Sequence, residues 1–323
     1  MILPPFELHQ PSTLDEAMAT AQKLRDEGMT FDYMAGGTDV LPNYKNRLNA
    51  RRQVIGLGGV AELTSIDDTS IGALARIDDV ARDERVLALW PTLAKAAGLI
   101  ASPPLRRLGT VGGNLLLDTR CYYFNQSEFW RASKGYCLKA DGDVCLVVPQ
   151  KETCYATYSG DLAPILLVHD AELEFRSPDS GRRVKLRDFF AYDGTRRFEK
   201  AADEVLVRIH VEPTALATDY LKLRARDTIE YPVMGVAMGV ATKDGLVTDL
   251  RVAVTGSEAV PLYYGDLGLM GAAVDASTAD RVHEALLDRI QCYRNVPFPP
   301  GYRKAMGAEF GRSLFLQLTG QQA

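Results

Sequence analysis

Four of the five cysteines in this 323-residue chain, Cys121, Cys137, Cys145 and Cys154, fall within 34 consecutive residues, while Cys292 stands alone. The stretch around them, from Asn114 to Tyr158, is rich in Tyr, Lys, Asp, Gly and Ser and has little helical periodicity. Structureless connections beyond about 12–15 residues are uncommon in compact domains unless they carry a function or an organising element. The segment therefore reads as a long excursion out of a sheet, with the cysteines as its organiser.

What organises it depends on the compartment. No stretch approaches about 18 consecutive apolar residues, and Met1-Ile2-Leu3-Pro4-Pro5 lacks the basic start and apolar core of a signal peptide. The expectation is a cytoplasmic, soluble protein without a membrane partner. Thiols there are kept reduced, so four thiolates on one metal or cluster account for the clustering better than two disulfides. Four unconnected thiols buried as small hydrophobes would not explain why the 120 residues before Cys121 contain no cysteine. The intervening 15, 7 and 8 residues match neither a zinc ribbon nor the bacterial ferredoxin run, which leaves zinc and iron–sulfur both open. Cys292 lies on a helical pattern and reads as a core residue.

At 46% hydrophobic and 24% charged residues the chain is an ordinary globular protein, and its length suggests two or three domains. A net charge of −5 with no basic run argues against nucleic acid as a partner. From Ser12 to Gly28, apolar residues at 14, 17, 18, 21 and 24 predict an amphipathic helix with Ser12 as N-cap and Gly28 as stop. Strands are expected at Phe31–Ala35 and Arg52–Leu57, which makes residues 1–57 a small α/β unit. Strand-like runs such as 171–175 and 205–211, with a helix near 91–101, make 58–215 a larger α+β unit on a mostly antiparallel sheet. Residues 216–323 form a third region: Lys243-Asp244-Gly245 between two apolar runs signals a hairpin, and helices are expected near 276–291 and 302–318.

Two glycine pairs carry the ligand chemistry. Gly36-Gly37-Thr38-Asp39 follows a strand, and Thr110-Val111-Gly112-Gly113-Asn114 follows a helix and the turn Ser102-Pro103-Pro104. Glycine pairs let successive N–H groups form a concave nest for phosphate oxygens, and Thr38, Thr110 and the Asn114 amide can add donors. Two such loops together could grip a pyrophosphate. A third run, Gly56-Leu57-Gly58-Gly59-Val60-Ala61, fits a dinucleotide-binding pattern, but Glu62–Thr69 lacks helical apolar spacing, so no helix N-terminus would face the phosphate. The four histidines, His9, His169, His210 and His283, are scattered and make no nucleophile or metalloprotease motif.

With AGGTDVLP at 35–42, GTVGGNLL at 109–116, SGDLAP at 159–164 and YLKLR at 220–224 before Tyr231-Pro232, the chain resembles the FAD-binding subunits of the xanthine dehydrogenase and molybdenum hydroxylase family. The resemblance implies an α+β fold: a two-subdomain FAD-binding region and a C-terminal domain with a three-stranded antiparallel sheet and helices. It further implies that Gly36, Gly37, Thr38, Asp39, Thr110, Gly112, Gly113 and Asn114 hold the FAD diphosphate. Tyr33, Met34, Ala35, Val40 and Ala101 are expected beside the cofactor, Asp161 at its adenosine and ribose end, and Lys222 on a strand approaching the flavin. No residue of the chain nominates itself as catalytic.

The 46 residues between Asn114 and Asp161 far exceed the short connection usual in the family. The excess, at about 117–157, is the cysteine segment. It resembles the loop of a family branch that binds an additional [4Fe–4S] cluster, which makes Cys121, Cys137, Cys145 and Cys154 the implied ligands. The implied partners are a molybdopterin-containing large subunit, a [2Fe–2S] small subunit and ferredoxin as electron donor. A structural zinc in the same loop, on an oxidative family member, is the alternative.

Overall fold

A computed structural model describes residues 2–321, arranged on three sheets. The first is parallel, in the order β1 (Glu7–His9), β3 (Gln53–Gly56), β2 (Phe31–Met34). The helix Leu14–Asp26 makes the crossover, and the residues it buries are Leu14, Ala17, Met18, Ala21 and Leu24, the stripe expected from their spacing. Its N-cap is Thr13 rather than Ser12. The Thr13 hydroxyl accepts from the Glu16 N–H at 3.1 Å, and the N–H and hydroxyl of Ser12 both donate to the Glu16 carboxylate at 2.7 Å. With two candidate hydroxyls in a row, the backbone chooses the one that reaches the free N–H. Gly28, with φ +69°, supplies the left-handed residue that ends the helix.

The second sheet is antiparallel, in the order β4 (Ser70–Gly72), β7 (Val205–His210), β5 (Glu172–Arg176), β6 (Gly181–Lys185). It shares a core with the helices Pro91–Gly98 and Leu162–Val168, centred on Trp90, Leu166 and Phe189. The run at Gly56 behaves as its following residues require. Leu57–Gly59 and Ala61–Leu63 are single 3₁₀ turns, not a helix.

The third sheet has four antiparallel strands, β11 (Leu262–Gly265), β10 (Leu246–Thr255), β9 (Met234–Lys243) and β8 (Ala217–Leu223), in that order. The fourth strand beyond the three expected is β11, whose four residues are all half-buried and show no alternation. Asp244 and Gly245 join β9 to β10 with φ of +53° and +73°, the pair of positive values that a type I′ hairpin needs. Met234, Val236 and Met238 meet Val282, Leu286, Leu314 and Phe315 of the helices Ala276–Arg289 and Pro300–Thr319. Ala237, between them, turns to the core of the second sheet. Burial on both faces is why β9 reads as a continuous apolar run. No described helix is long and apolar enough to cross a membrane.

The cysteine segment contributes no strand to these sheets and contains one short helix, Glu128–Ser133. Its neck is closed by a backbone bridge in which Arg120 and Thr157 exchange N–H···O bonds of 2.7 Å. It carries a small core of its own, in which Leu48, Phe124 and Ala156 pack with Cys121, Cys137 and Cys154. Buried Arg131 ties it to the first unit, donating to the Asn46 carbonyl at 2.9 Å and the Arg47 carbonyl at 3.3 Å.

Candidate cofactor cleft and cysteine cavity

Where β2, the turn before β4's neighbouring helices and the strap after β8 come together, they enclose a cleft of about 850 Å³. Its wall includes every residue expected at the cofactor except Lys222: Tyr33, Met34, Ala35, Gly36, Gly37, Thr38, Asp39, Val40, Ala101, Thr110, Gly112, Gly113, Asn114 and Asp161. Sequence-distant segments have thus been brought to one concave surface of a size suited to a large organic ligand.

The two glycine loops do different work. Among the described residues no acceptor is found for the N–H groups of Gly36, Gly37, Thr38 and Asp39. Four successive donors without a protein acceptor at a cleft are what an anion nest requires. Gly37 has φ +70°, and a Cβ on Gly36 would lie 1.8 Å from the Leu108 carbonyl oxygen, so both positions require glycine. The second loop is instead the first turn of a short helix, Val111–Leu115. The Val111 and Gly112 N–H groups donate to the Ala75 and Ala73 carbonyls at 3.0 and 2.8 Å, and that of Gly113 to the Thr110 hydroxyl at 3.0 Å. The expectation of twin nests is corrected on this point: these N–H groups are already spent within the protein. Gly112 is needed because a Cβ there would meet Ala73 at 2.8 Å, and the loop contributes close approach to a ligand rather than donors. The Asn114 Oδ1 accepts from the Leu162 N–H at 3.1 Å and so secures the start of the helix Leu162–Val168.

Asp161 and Lys222 form a pair under this surface, each side chain 2% exposed, at 2.8 Å. The Asp161 carboxylate also accepts from the Tyr220 hydroxyl at 3.2 Å. Burial raises its carboxyl above the ordinary aspartate value against the pull of Lys222. The Lys222 ammonium donates to the carbonyls of Leu99 at 3.1 Å and Glu230 at 3.0 Å. It therefore braces the cleft-lining segments around Ala101 and Tyr231 from behind.

Asp118 and Lys200 line the cleft but carry no motif. Asp39 accepts from the Asp118 N–H at 3.1 Å and pairs with Arg120, whose guanidinium lies 4.7 Å from the centre of the Tyr231 ring. Lys200, pushed down to about 8 by burial, donates to the Glu204 carbonyl at 2.8 Å. Their only signal would have been three-dimensional, since they come from separate segments with no shared spacing.

The four clustered cysteines are all reduced and buried and line one small cavity with Phe124, Leu138, Leu146 and Val147. Burial pushes the thiols of Cys121 and Cys154 up to about 12 and about 11, against N–H groups directed at their sulfurs from Tyr123 and Ala156. Four thiols in an apolar cavity become thiolates only with cationic charge among them, and N–H···S contacts are among the groups that tune such centres. Among the described residues no three His, Cys, Asp or Glu side chains are gathered as a single metal ion requires. Cys292 lies apart, half-buried against the C-terminal core.

Residues 4–214 match a family model described as the FAD binding domain in molybdopterin dehydrogenase. The aldehyde oxidoreductase FAD-binding subunit PaoB of Escherichia coli (strain K12) is 32% identical over 246 residues, 72% of this chain and 76% of that protein. The nicotinate dehydrogenase FAD-subunit of Eubacterium barkeri is 24% identical over 326 residues, covering 98% and 97%. Among solved structures, quinoline 2-oxidoreductase from Pseudomonas putida 86 superposes with a TM-score of 0.78 at 20% identity over 99% of each chain. Carbon monoxide dehydrogenase from Hydrogenophaga pseudoflava gives 0.77 at 23% over the whole of both. The α+β fold expected from the motifs is the fold these proteins share, and the free N–H groups of residues 36–39 lie within the matched region. The chain belongs to the family of FAD-binding subunits of molybdopterin dehydrogenases, the molybdenum hydroxylase group of oxidoreductases.

Proposed function

We propose that this chain is the FAD- and [4Fe–4S]-carrying electron-transfer subunit of a cytoplasmic molybdenum enzyme, of the kind exemplified by the β subunit of 4-hydroxybenzoyl-CoA reductase. The observation that carries the reading is the convergence of Cys121, Cys137, Cys145 and Cys154 on one apolar cavity beside the FAD cleft. Four thiolates can hold either a single zinc ion or a [4Fe–4S] cluster, and the cluster is the member of that pair that carries electrons. FAD supplies the exchange between one-electron and two-electron chemistry. Residues 36–39 would hold its diphosphate through backbone N–H groups, and Asp161 with Lys222 would hold the wall at its other end. Substrate chemistry would then lie on a molybdopterin-containing large subunit reached through a [2Fe–2S] small subunit. Two electrons from reduced ferredoxin and two protons would convert 4-hydroxybenzoyl-CoA to benzoyl-CoA and water.

The names of the relatives favour a second reading. They are an oxidoreductase and dehydrogenases, so an oxidative enzyme with a structural zinc in the loop is the competitor. Anaerobic assay of the assembled complex decides. Ferredoxin-driven formation of benzoyl-CoA, lowered at least tenfold by Cys145→Ser, is expected. Substrate oxidation without ferredoxin, unaffected by that substitution, would establish the competitor.

A further inference from the structure

Leu138 and Lys139 line both the cysteine cavity and the FAD cleft. The side chain of Lys139 is 4% exposed, and its ammonium is bonded to the Asp118 carboxylate and the Thr119 hydroxyl, each at 2.5 Å. It also lies 4.5 Å from the centre of the Phe124 ring, another wall of the cysteine cavity. Asp118 borders the cleft alone, and the same Oδ1 that meets Lys139 is approached by the Arg197 Nε at 3.3 Å. The partition between the two chambers thus contains an oriented ion pair, with its positive end shared with the cysteines and its negative end on the cofactor side. The Lys139–Asp118 contact is made between side chains that are 4% and 12% exposed, so the pair is sheltered from solvent.

We propose that Lys139 and Asp118 are positioning residues that set the difference in reduction potential between a centre held by the four cysteines and the flavin in the cleft. The inference rests on the reading that those cysteines hold an iron–sulfur cluster. Reduction adds negative charge to a centre already surrounded by thiolates, and net charge and nearby hydrogen-bond donors are what set such potentials. A buried cation at the cavity wall favours the reduced form there. A carboxylate at the cleft wall opposes reduction of the flavin. Because the interior screens poorly, each charge acts far more strongly than it would at the surface.

The test is spectroelectrochemical titration of the anaerobically purified holoprotein, with iron, sulfide and FAD content measured on every sample. Lys139→Gln is expected to shift the cluster equilibrium at least tenfold against reduction, a fall of about 59 mV for a one-electron couple. Asp118→Asn is expected to move the flavin potential the opposite way, upward. Lys139→Arg, which keeps the charge, should bring the cluster potential back to within threefold of wild type in equilibrium terms. If Lys139→Gln does not load, the Asp118→Asn and Lys139→Arg proteins still decide. Cofactor-loaded Lys139→Gln or Asp118→Asn protein whose potentials do not move, or a Lys139→Arg protein shifted as far as Lys139→Gln, overturns the proposal while leaving the cluster reading intact. Wild-type protein with FAD but no iron overturns that reading and the proposal with it.

Discussion

Gly36→Ala is expected to yield a protein that retains no FAD and is destabilised by at least about 3 kcal/mol, the upper end of what overpacking costs. The added methyl would sit 1.8 Å from the Leu108 carbonyl oxygen and 2.6 Å from its carbon. Both are backbone atoms, so no rotamer change can relieve the clash. Leu108 leads directly into Gly109 and Thr110 on the opposite wall, so the methyl would push apart the two segments that meet in the cleft. Gly28→Ala provides the contrast. Its φ is +69° but no atom lies within 4 Å of the new Cβ, so the cost should be about 1–2 kcal/mol of backbone strain, with FAD retained. FAD absorbance after gel filtration, together with urea denaturation, reads both effects. Full FAD occupancy in Gly36→Ala would mean that the two walls do not meet as described.

Lys222→Met should cost about 3–5 kcal/mol, because it leaves the Asp161 carboxylate buried without its cation. It also takes the donor from the Leu99 and Glu230 carbonyls, which hold the wall near Ala101 and Tyr231 in place. FAD affinity should therefore fall along with stability. The double variant Asp161→Asn, Lys222→Met should recover much of the stability, since no lone charge remains buried, but not the affinity, since the two carbonyls still lack their brace. Denaturation of the single and double variants, with FAD titrated into each, separates the contributions. Recovery of affinity in the double variant would show that Lys222 does not act on the wall.

The parts of this molecule that were legible in its amino-acid order are those fixed by local periodicity or by backbone chemistry. The helix Leu14–Asp26 buries the face its spacing designates, Asp244-Gly245 makes its hairpin, and Gly36–Asp39 presents its free donors to a cleft. The choice of Thr13 over Ser12 as cap lay below that resolution, because adjacent hydroxyls differ only in reach. Strand β11 escaped notice because four half-buried residues carry no alternation. The loop at 110–114 was a different case: the motif was visible, but the Ala75 and Ala73 carbonyls take the N–H groups of Val111 and Gly112 from across the fold, and the Thr110 hydroxyl takes that of Gly113. The same holds for Asp118 and Lys139, whose significance comes from which cavity each one borders and has no counterpart in spacing.

The measurement that bears most directly on the central claim, that the four clustered cysteines hold an iron–sulfur centre beside FAD, is the iron, zinc and acid-labile sulfide content per FAD of anaerobically purified protein. It is paired with an EPR spectrum after dithionite reduction. The account predicts about four irons and about four sulfides per FAD with a reducible low-potential signal. About one zinc, no sulfide and FAD still bound would contradict it, and would make the loop a structural module on an oxidative enzyme subunit.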